Sequence, residues 1–116
     1  MLKFLAGSSC LLMAAAAAQA APADGAAIEA AIVGHTVQGE MAVSGRYTEF
    51  YAKDGKIHGK DYTGSWTIEN DQMCFSYGHE PASCWQVEIH GTNVTWIKDG
   101  RADGTGTIVE GNPNGY

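Results

Sequence analysis

Apolar and polar side chains alternate along several short segments between residues 46 and 109, which is the pattern of strands that bury one face. Turn residues separate the segments, and Asp54-Gly55 between two of them is typical of a type I′ hairpin turn, whose central residues need positive φ. The pattern predicts about six or seven strands, within 46–51, 56–58, 64–68, 73–77, 84–89, 94–97 and 104–109.

Before the strands the apolar residues follow a helical period. Ile28 and Ile32 lie four positions apart, Asp24 is a candidate N-cap and Gly34 a stop, so we expect a helix from 26 to 33. The connections between strands are too short for crossover helices, which makes neighbouring strands antiparallel. The expected fold class is mainly β: a small antiparallel barrel or a strongly curled sheet with one short N-terminal helix.

Residues 1–20 have the pattern of a secretory signal peptide: a short positive start, an apolar run and the small-x-small site Ala18-Gln19-Ala20. A membrane anchor is the alternative, but Gly7-Ser8-Ser9 interrupts the run, and about 20 strongly apolar residues are not present. Cleavage predicts one periplasmic or secreted domain, residues 21–116, with no membrane insertion.

Export changes the meaning of the cysteines, because Cys10 leaves with the signal peptide and Cys74 and Cys84 remain. A pair in an oxidising compartment predicts a disulfide, and the spacing matches neither a Cys-x-x-Cys redox site nor a zinc site. Along the two segments the cysteines alternate with the apolar residues, such as Phe75 and Trp85. We therefore expect the bond on the outer face of the sheet.

The charge of the exported chain excludes some partners. Without Lys3, six lysines and arginines face thirteen aspartates and glutamates, a net charge of −7. No basic run is present, so nucleic acid and anionic lipid are not expected partners.

The sequence shows no catalytic constellation. There is no nucleophile elbow, no glycine loop that would hold a phosphate and no haem attachment motif, so we expect no cofactor. No pair of histidines has the spacing of a metal site, so no metal is expected either; the four are His35, His58, His79 and His90.

The candidate binding residues are His79, Glu80 and Trp85. The first two lie on the loop from Gly78 to Ser83, which the disulfide would hold rigid and display. An ordinary polar loop tip is the alternative interpretation. Trp85 is one of several aromatic residues that either pack the core or line a barrel mouth or a protein-binding face.

The chain from about Gly45 onward resembles short secreted domains of Gram-negative bacteria that have no assigned function. The resemblance is carried by turns, a tryptophan strand and the cysteine pair: Phe50 with Asp54-Gly55, Gly64-Ser65-Trp66-Thr67-Ile68, Met73-Cys74, Cys84-Trp85-Gln86-Val87 and Gly111-Asn112-Pro113. It implies a periplasmic β-rich domain and no reaction.

The function expected from these patterns is binding without catalysis, with an unknown protein or a small ligand as the partner. One alternative is a small periplasmic hydrolase that uses His79, Glu80 and a nearby carboxylate such as Asp61. Another is an inhibitor that inserts its Gly78–Ser83 loop into a secreted hydrolase. A third is an envelope structural protein without a discrete ligand.

Export predicts the N-terminal residue of the mature protein. Protein recovered from the periplasm should begin at Ala21, because cleavage follows Ala20. N-terminal mass spectrometry measures this directly. A chain that still begins at Met1 and remains in the cytosol would contradict the signal peptide.

Overall fold

A computed structural model describes residues 21–116 and, before them, Gly7 alone. Apart from that glycine, the predicted signal peptide lies outside the described residues, as does Cys10. The described chain forms a helix and eight strands: α1 (Gly25–Ile32), β1 (Thr36–Met41), β2 (Gly45–Tyr51), β3 (Lys56–His58), β4 (Thr63–Glu69), β5 (Gln72–Ser76), β6 (Ser83–His90), β7 (Asn93–Lys98) and β8 (Arg101–Val109).

The eight strands form a closed barrel in chain order, in which β1 pairs with both β2 and β8 and every pairing is antiparallel. The expected antiparallel barrel with one short helix is confirmed, whereas the expected number of six or seven strands is wrong. The additional strand is β1. Its Gly39 lies opposite Gly106, and a Cβ there would collide with the backbone carbonyl of Thr105, so the close approach of β1 and β8 needs glycine.

The helix closes one end of the barrel. Asp24 caps it by accepting a hydrogen bond from the Ala27 amide at 2.8 Å, and the Gly25 amide donates to Asp71, in the β4–β5 turn, at 2.8 Å. Ile28 and Ile32 are fully buried in the core cluster. The predicted helix is confirmed with its boundaries shifted by one residue. An eight-residue helix is marginal alone, so this packing stabilises it.

The other end of the barrel carries the loops that follow β1, β3, β5 and β7. The helix contacts β4, β5 and β6 near the opposite end, so it does not cover these loops. Strands alternate inward and outward side chains, and the inward ones at this end include Tyr47 and Trp85. The fold therefore has one end closed by apolar packing and one open end.

The predicted disulfide is confirmed. Cys74 and Cys84 are direct partners in the β5–β6 register, and their sulfur atoms are bonded. Their neighbours Met73 and Phe75 belong to the core cluster, so alternation places the cysteines on the outer face. The bond thus joins two strands from outside the barrel.

Among the residues that the structure describes, no helix has the length and apolar character needed to cross a membrane.

Reducing the Cys74–Cys84 bond should lower the free energy of unfolding by about 2–3 kcal/mol, because the bond closes a loop in the unfolded chain. The two cysteines are separated by 10 positions. Urea denaturation of the exported protein, with and without a reductant, measures the difference. In the double variant Cys74→Ser and Cys84→Ser the reductant should have no effect. Equal stability of oxidised and reduced wild-type protein would refute the expectation.

Candidate functional site

A cavity of about 310 Å³ lies at the open end of the barrel. Its walls are mostly aromatic, with one carboxylate, and a few residues at the rim add polar groups. The lining residues are Met41, Ser44, Arg46, Tyr47, Glu49, Tyr51, Tyr62, Phe75, Tyr77, Trp85 and Trp96.

A glutamate lies inside the barrel at this cavity. Alternation along β2 places Tyr47, Glu49 and Tyr51 on the inward face, and Glu49 is only 5% exposed. An ionised carboxylate loses much of its hydration in such a position, so it needs strong hydrogen-bond donors.

Three tyrosine hydroxyls supply those donors. Tyr51 and Tyr77 each donate to Oε1 of Glu49 at 2.9 Å, and Tyr62 donates to Oε2 at 2.8 Å. The three phenols come from different parts of the chain: the end of β2, the residue after β5 and the residue before β4. Hydrogen bonds to a charged acceptor are stronger than neutral ones, so the carboxylate holds three parts of the chain together at the cavity.

A second set of hydrogen bonds fixes the opposite wall. The Tyr47 hydroxyl donates to the carbonyl of Thr105 at 2.9 Å and accepts a hydrogen bond from Nε1 of Trp96 at 2.8 Å. Nε1 of Trp85 donates to Asp103 at 2.9 Å. The polar edges of these aromatic rings are thus bound to the barrel, and their faces remain as walls.

Phe75 lies at the centre of the aromatic packing. Its ring centroid is 5.7 Å from that of Tyr51, 5.5 Å from that of Trp85 and 5.4 Å from that of Trp96. These distances are typical of favourable tilted and edge-to-face pairs. The packing fixes the orientation of the cavity walls.

The close approach of Gly64 in β4 to the Tyr77 ring also determines where that ring lies. A Cβ on Gly64 would lie 2.9 Å from Cδ1 of the Tyr77 ring and 2.8 Å from the Ser76 carbonyl. Glycine in this strand therefore leaves the space in which the Tyr77 ring reaches Glu49.

The phenols around the cavity resist ionisation. Burial is the largest cause and raises the pKa of Tyr47 to about 12, with the Trp96 hydrogen bond acting in the opposite direction. Burial and the adjacent Glu49 charge raise the pKa values of Tyr51, Tyr62 and Tyr77 well above the ordinary value. All four phenols keep their protons at neutral pH.

The structure separates the residues that the sequence suggested for binding. Trp85 lines the cavity, whereas His79 and Glu80 are exposed on the loop and do not line it. Asp61, the carboxylate of the alternative hydrolase hypothesis, is also exposed and outside the cavity lining. The cavity therefore does not bring together the residues of that hypothesis.

Glu49 was not among the sequence candidates; its phenol partners Tyr51, Tyr62 and Tyr77 belong to the aromatic residues expected in the core or at a barrel mouth, but their contact with Glu49 was not predicted. One signal was present, because Tyr47, Glu49 and Tyr51 alternate in a strand whose apolar face must be inward. A glutamate at such a position is exceptional unless it is paired. The contributions of Tyr62 and Tyr77 had no local signal, since they lie 13 and 28 positions away.

Within residues 21–116, the one cluster with metal-ligand geometry comprises Glu69, Cys74 and Cys84. The two sulfurs are bonded to each other and are not free thiolates, so this cluster lacks the sulfur ligands that a metal needs.

Comparisons with protein families, with curated proteins and with solved structures find no match for this chain.

The free energy of unfolding should decrease at alkaline pH because the pKa values of Tyr47, Tyr51, Tyr62 and Tyr77 are raised in the folded protein. The pKa values of these tyrosines are higher in the folded than in the unfolded chain, where they are about 10. The stabilisation is therefore complete below about pH 10 and is lost as pH rises further, since the unfolded phenols release protons first. Urea denaturation at a series of pH values measures this loss.

The variant Glu49→Gln should lower the pKa values of Tyr62 and Tyr77, because the neighbouring negative charge is removed. Phenolate absorbance during alkaline titration measures the shift. Glu29→Gln is the matched control, since Glu29 is exposed on α1 at the closed end. A titration curve of Glu49→Gln that coincides with wild type would disprove the electrostatic coupling.

Proposed function

We propose that this chain is a secreted or periplasmic binding protein without catalytic activity, which holds one small organic molecule at the open end of its barrel. The observation that carries the proposal is the cavity of about 310 Å³ with preoriented aromatic walls. Sites for small molecules are typically concave and largely apolar, with a few polar groups, and begin at about 300 Å³.

The arrangement of the fold supports this proposal. The closed end is filled by Ile28 and Ile32 of the helix, whereas the open end leaves space between aromatic side chains. A domain of this size has little core to spare, so unfilled space among seven aromatic residues forgoes packing that could stabilise it. A ligand in this space would restore those contacts.

The disulfide supports the proposed compartment. Bonds such as Cys74–Cys84 persist in the periplasm and outside the cell, and thiols in the cytosol are kept reduced. The signal peptide predicted in residues 1–20 agrees with export.

The loop that contains His79 and Glu80 supports a second candidate function, inhibition of a hydrolase or contact with another protein. Both side chains are exposed, and the disulfide joins the two strands that the loop connects. The two functions depend on different residues, so the double variant His79→Ala and Glu80→Ala separates them. It removes the side chains of the loop tip and leaves the cavity walls unchanged.

The cavity is tested with 2-phenylethanol, a neutral aromatic fragment small enough for the space. We expect it to shift the indole N–H resonances of Trp85 and Trp96, which line the cavity. The resonance of Trp66 should not shift, because this residue does not line the cavity and its indole N–H donates a hydrogen bond to the Ala52 carbonyl. Met41→Trp replaces a thioether in the cavity wall by a large indole ring and should weaken binding at least about tenfold, which corresponds to about 1.4 kcal/mol of binding free energy.

Val43→Trp is the matched control, because Val43 lies in the adjoining turn, is 93% exposed and does not line the cavity. It adds the same ring outside the cavity and should bind the fragment as wild type does. The proposal is wrong if wild-type protein shows no shift of the two cavity indoles, or if Met41→Trp, folded, binds as well as Val43→Trp.

A further inference from the structure

We propose that the ligand of this cavity is an organic ammonium ion, with a positively charged head and an apolar body. This inference rests on the proposed function and goes further by assigning the charge of the ligand. It follows from an inventory of the hydrogen-bond donors and acceptors that the cavity presents.

The phenol hydrogens at the cavity are already engaged. Those of Tyr51, Tyr62 and Tyr77 are donated to Glu49, and that of Tyr47 is donated to a backbone carbonyl. Each of these hydroxyls has one hydrogen, so none remains for a ligand. Their oxygen lone pairs still accept hydrogen bonds.

The indole hydrogens are engaged as well. Nε1 of Trp96 donates to the Tyr47 hydroxyl and Nε1 of Trp85 donates to Asp103. Away from Ser44 and Arg46, which are exposed at the rim, the polar side-chain atoms of the lining therefore act only as acceptors. A ligand in the interior must bring its own donors, which an ammonium group does and a carboxylate or phosphate does not.

Glu49 keeps an unused acceptor site. Oε1 accepts hydrogen bonds from two phenols and Oε2 from one, whereas a carboxylate has about four lone-pair sites. An N–H of a ligand that reached Oε2 would form a charge-assisted hydrogen bond in a site largely shielded from water.

The charge of Glu49 also favours a cation. Within the described part of the chain, the donors to Glu49 are all neutral phenols, and no lysine or arginine donates a hydrogen bond to it. Buried charges are costly unless an opposite charge accompanies them, so an ammonium ion would be attracted strongly. The net negative charge of the chain attracts cations at longer range as well.

The positions of Lys98 and Arg46 bear on this assignment. Nζ of Lys98 is 4.2 Å from the centroid of the Trp85 ring, and Lys98 does not line the cavity. Arg46 lines it from an exposed position at the rim, where it could attract an anion. We favour the cation because the interior offers acceptors. Binding of an anion through Arg46 is therefore an outcome that the experiment must detect.

The aromatic walls suit such a ligand. The ring faces of tyrosine and tryptophan attract cations, and their area accommodates an apolar body. The position of Lys98 over Trp85 shows that this fold already uses one such contact.

The experiment compares three fragments of similar size at neutral pH: 2-phenylethylamine, which is protonated, neutral 2-phenylethanol and anionic phenylacetate. The indole resonances of Trp85 and Trp96 report binding in the cavity, and calorimetry gives the affinities. We expect the amine to bind at least about tenfold more tightly than the alcohol, from a charge-assisted hydrogen bond and ring contacts. Phenylacetate should bind more weakly than both.

Glu49→Gln should reduce the affinity for the amine about tenfold or more and leave that for the alcohol nearly unchanged. Glu29→Gln, exposed at the closed end, should leave both unchanged. The wild-type comparison requires no variant, so it decides the question even where Glu49→Gln does not fold.

Three other results of the fragment comparison would each overturn the inference. Equal binding of amine and alcohol in the cavity would refute the charge assignment and leave the proposed function intact. Tightest binding of phenylacetate, weakened by Arg46→Gln, would replace the cation by an anion at the rim. No binding of any fragment would refute the proposed function together with this inference.

Discussion

The structure depends at its open end on one requirement, the solvation of the Glu49 carboxylate inside the barrel. Water contributes little at a side chain that is 5% exposed, so protein donors must replace it. The three phenols that do so come from separate parts of the chain and converge on two oxygen atoms. Removing the acceptor would leave the buried Tyr51 hydroxyl unpaired and would release Tyr62 and Tyr77, whose rings are partly exposed.

Different interactions stabilise the two ends of the barrel. At the closed end, Ile28 and Ile32 exclude water, and apolar burial stabilises the helix that carries them. At the open end, directional hydrogen bonds hold the aromatic rings at fixed positions without filling the space between them. The disulfide joins β5 to β6 on the outer face of the barrel, and it constrains the unfolded chain. The helix packing and the disulfide thus stabilise the fold without occupying the cavity.

The sequence predicted the fold better than the site, and the residues show why. Alternation and turn chemistry are local, so they located seven strands, the helix and the faces of Cys74 and Cys84. β1 was missed because Gly39 interrupts its apolar face, and the need for that glycine arises from β8, far along the chain. Trp85 was predicted as a binding residue and does line the cavity. The Glu49 cluster depends on contacts across 13 and 28 positions, for which no local pattern exists.

The internal hydrogen bonds that fix the cavity walls also determine which hydrogen-bonding groups those walls present. A tyrosine hydroxyl ordinarily offers a ligand both a donor and an acceptor, so it discriminates poorly by charge. Once its hydrogen is bound by Glu49 or by the Thr105 carbonyl, it offers an acceptor alone. With four phenols fixed in this way, the hydroxyls offer only acceptors to the cavity, and the side-chain donors of the lining are those of Ser44 and Arg46 at its rim. Under the proposed function this arrangement would contribute to specificity, because an unmatched polar group on a ligand costs binding energy when it is desolvated.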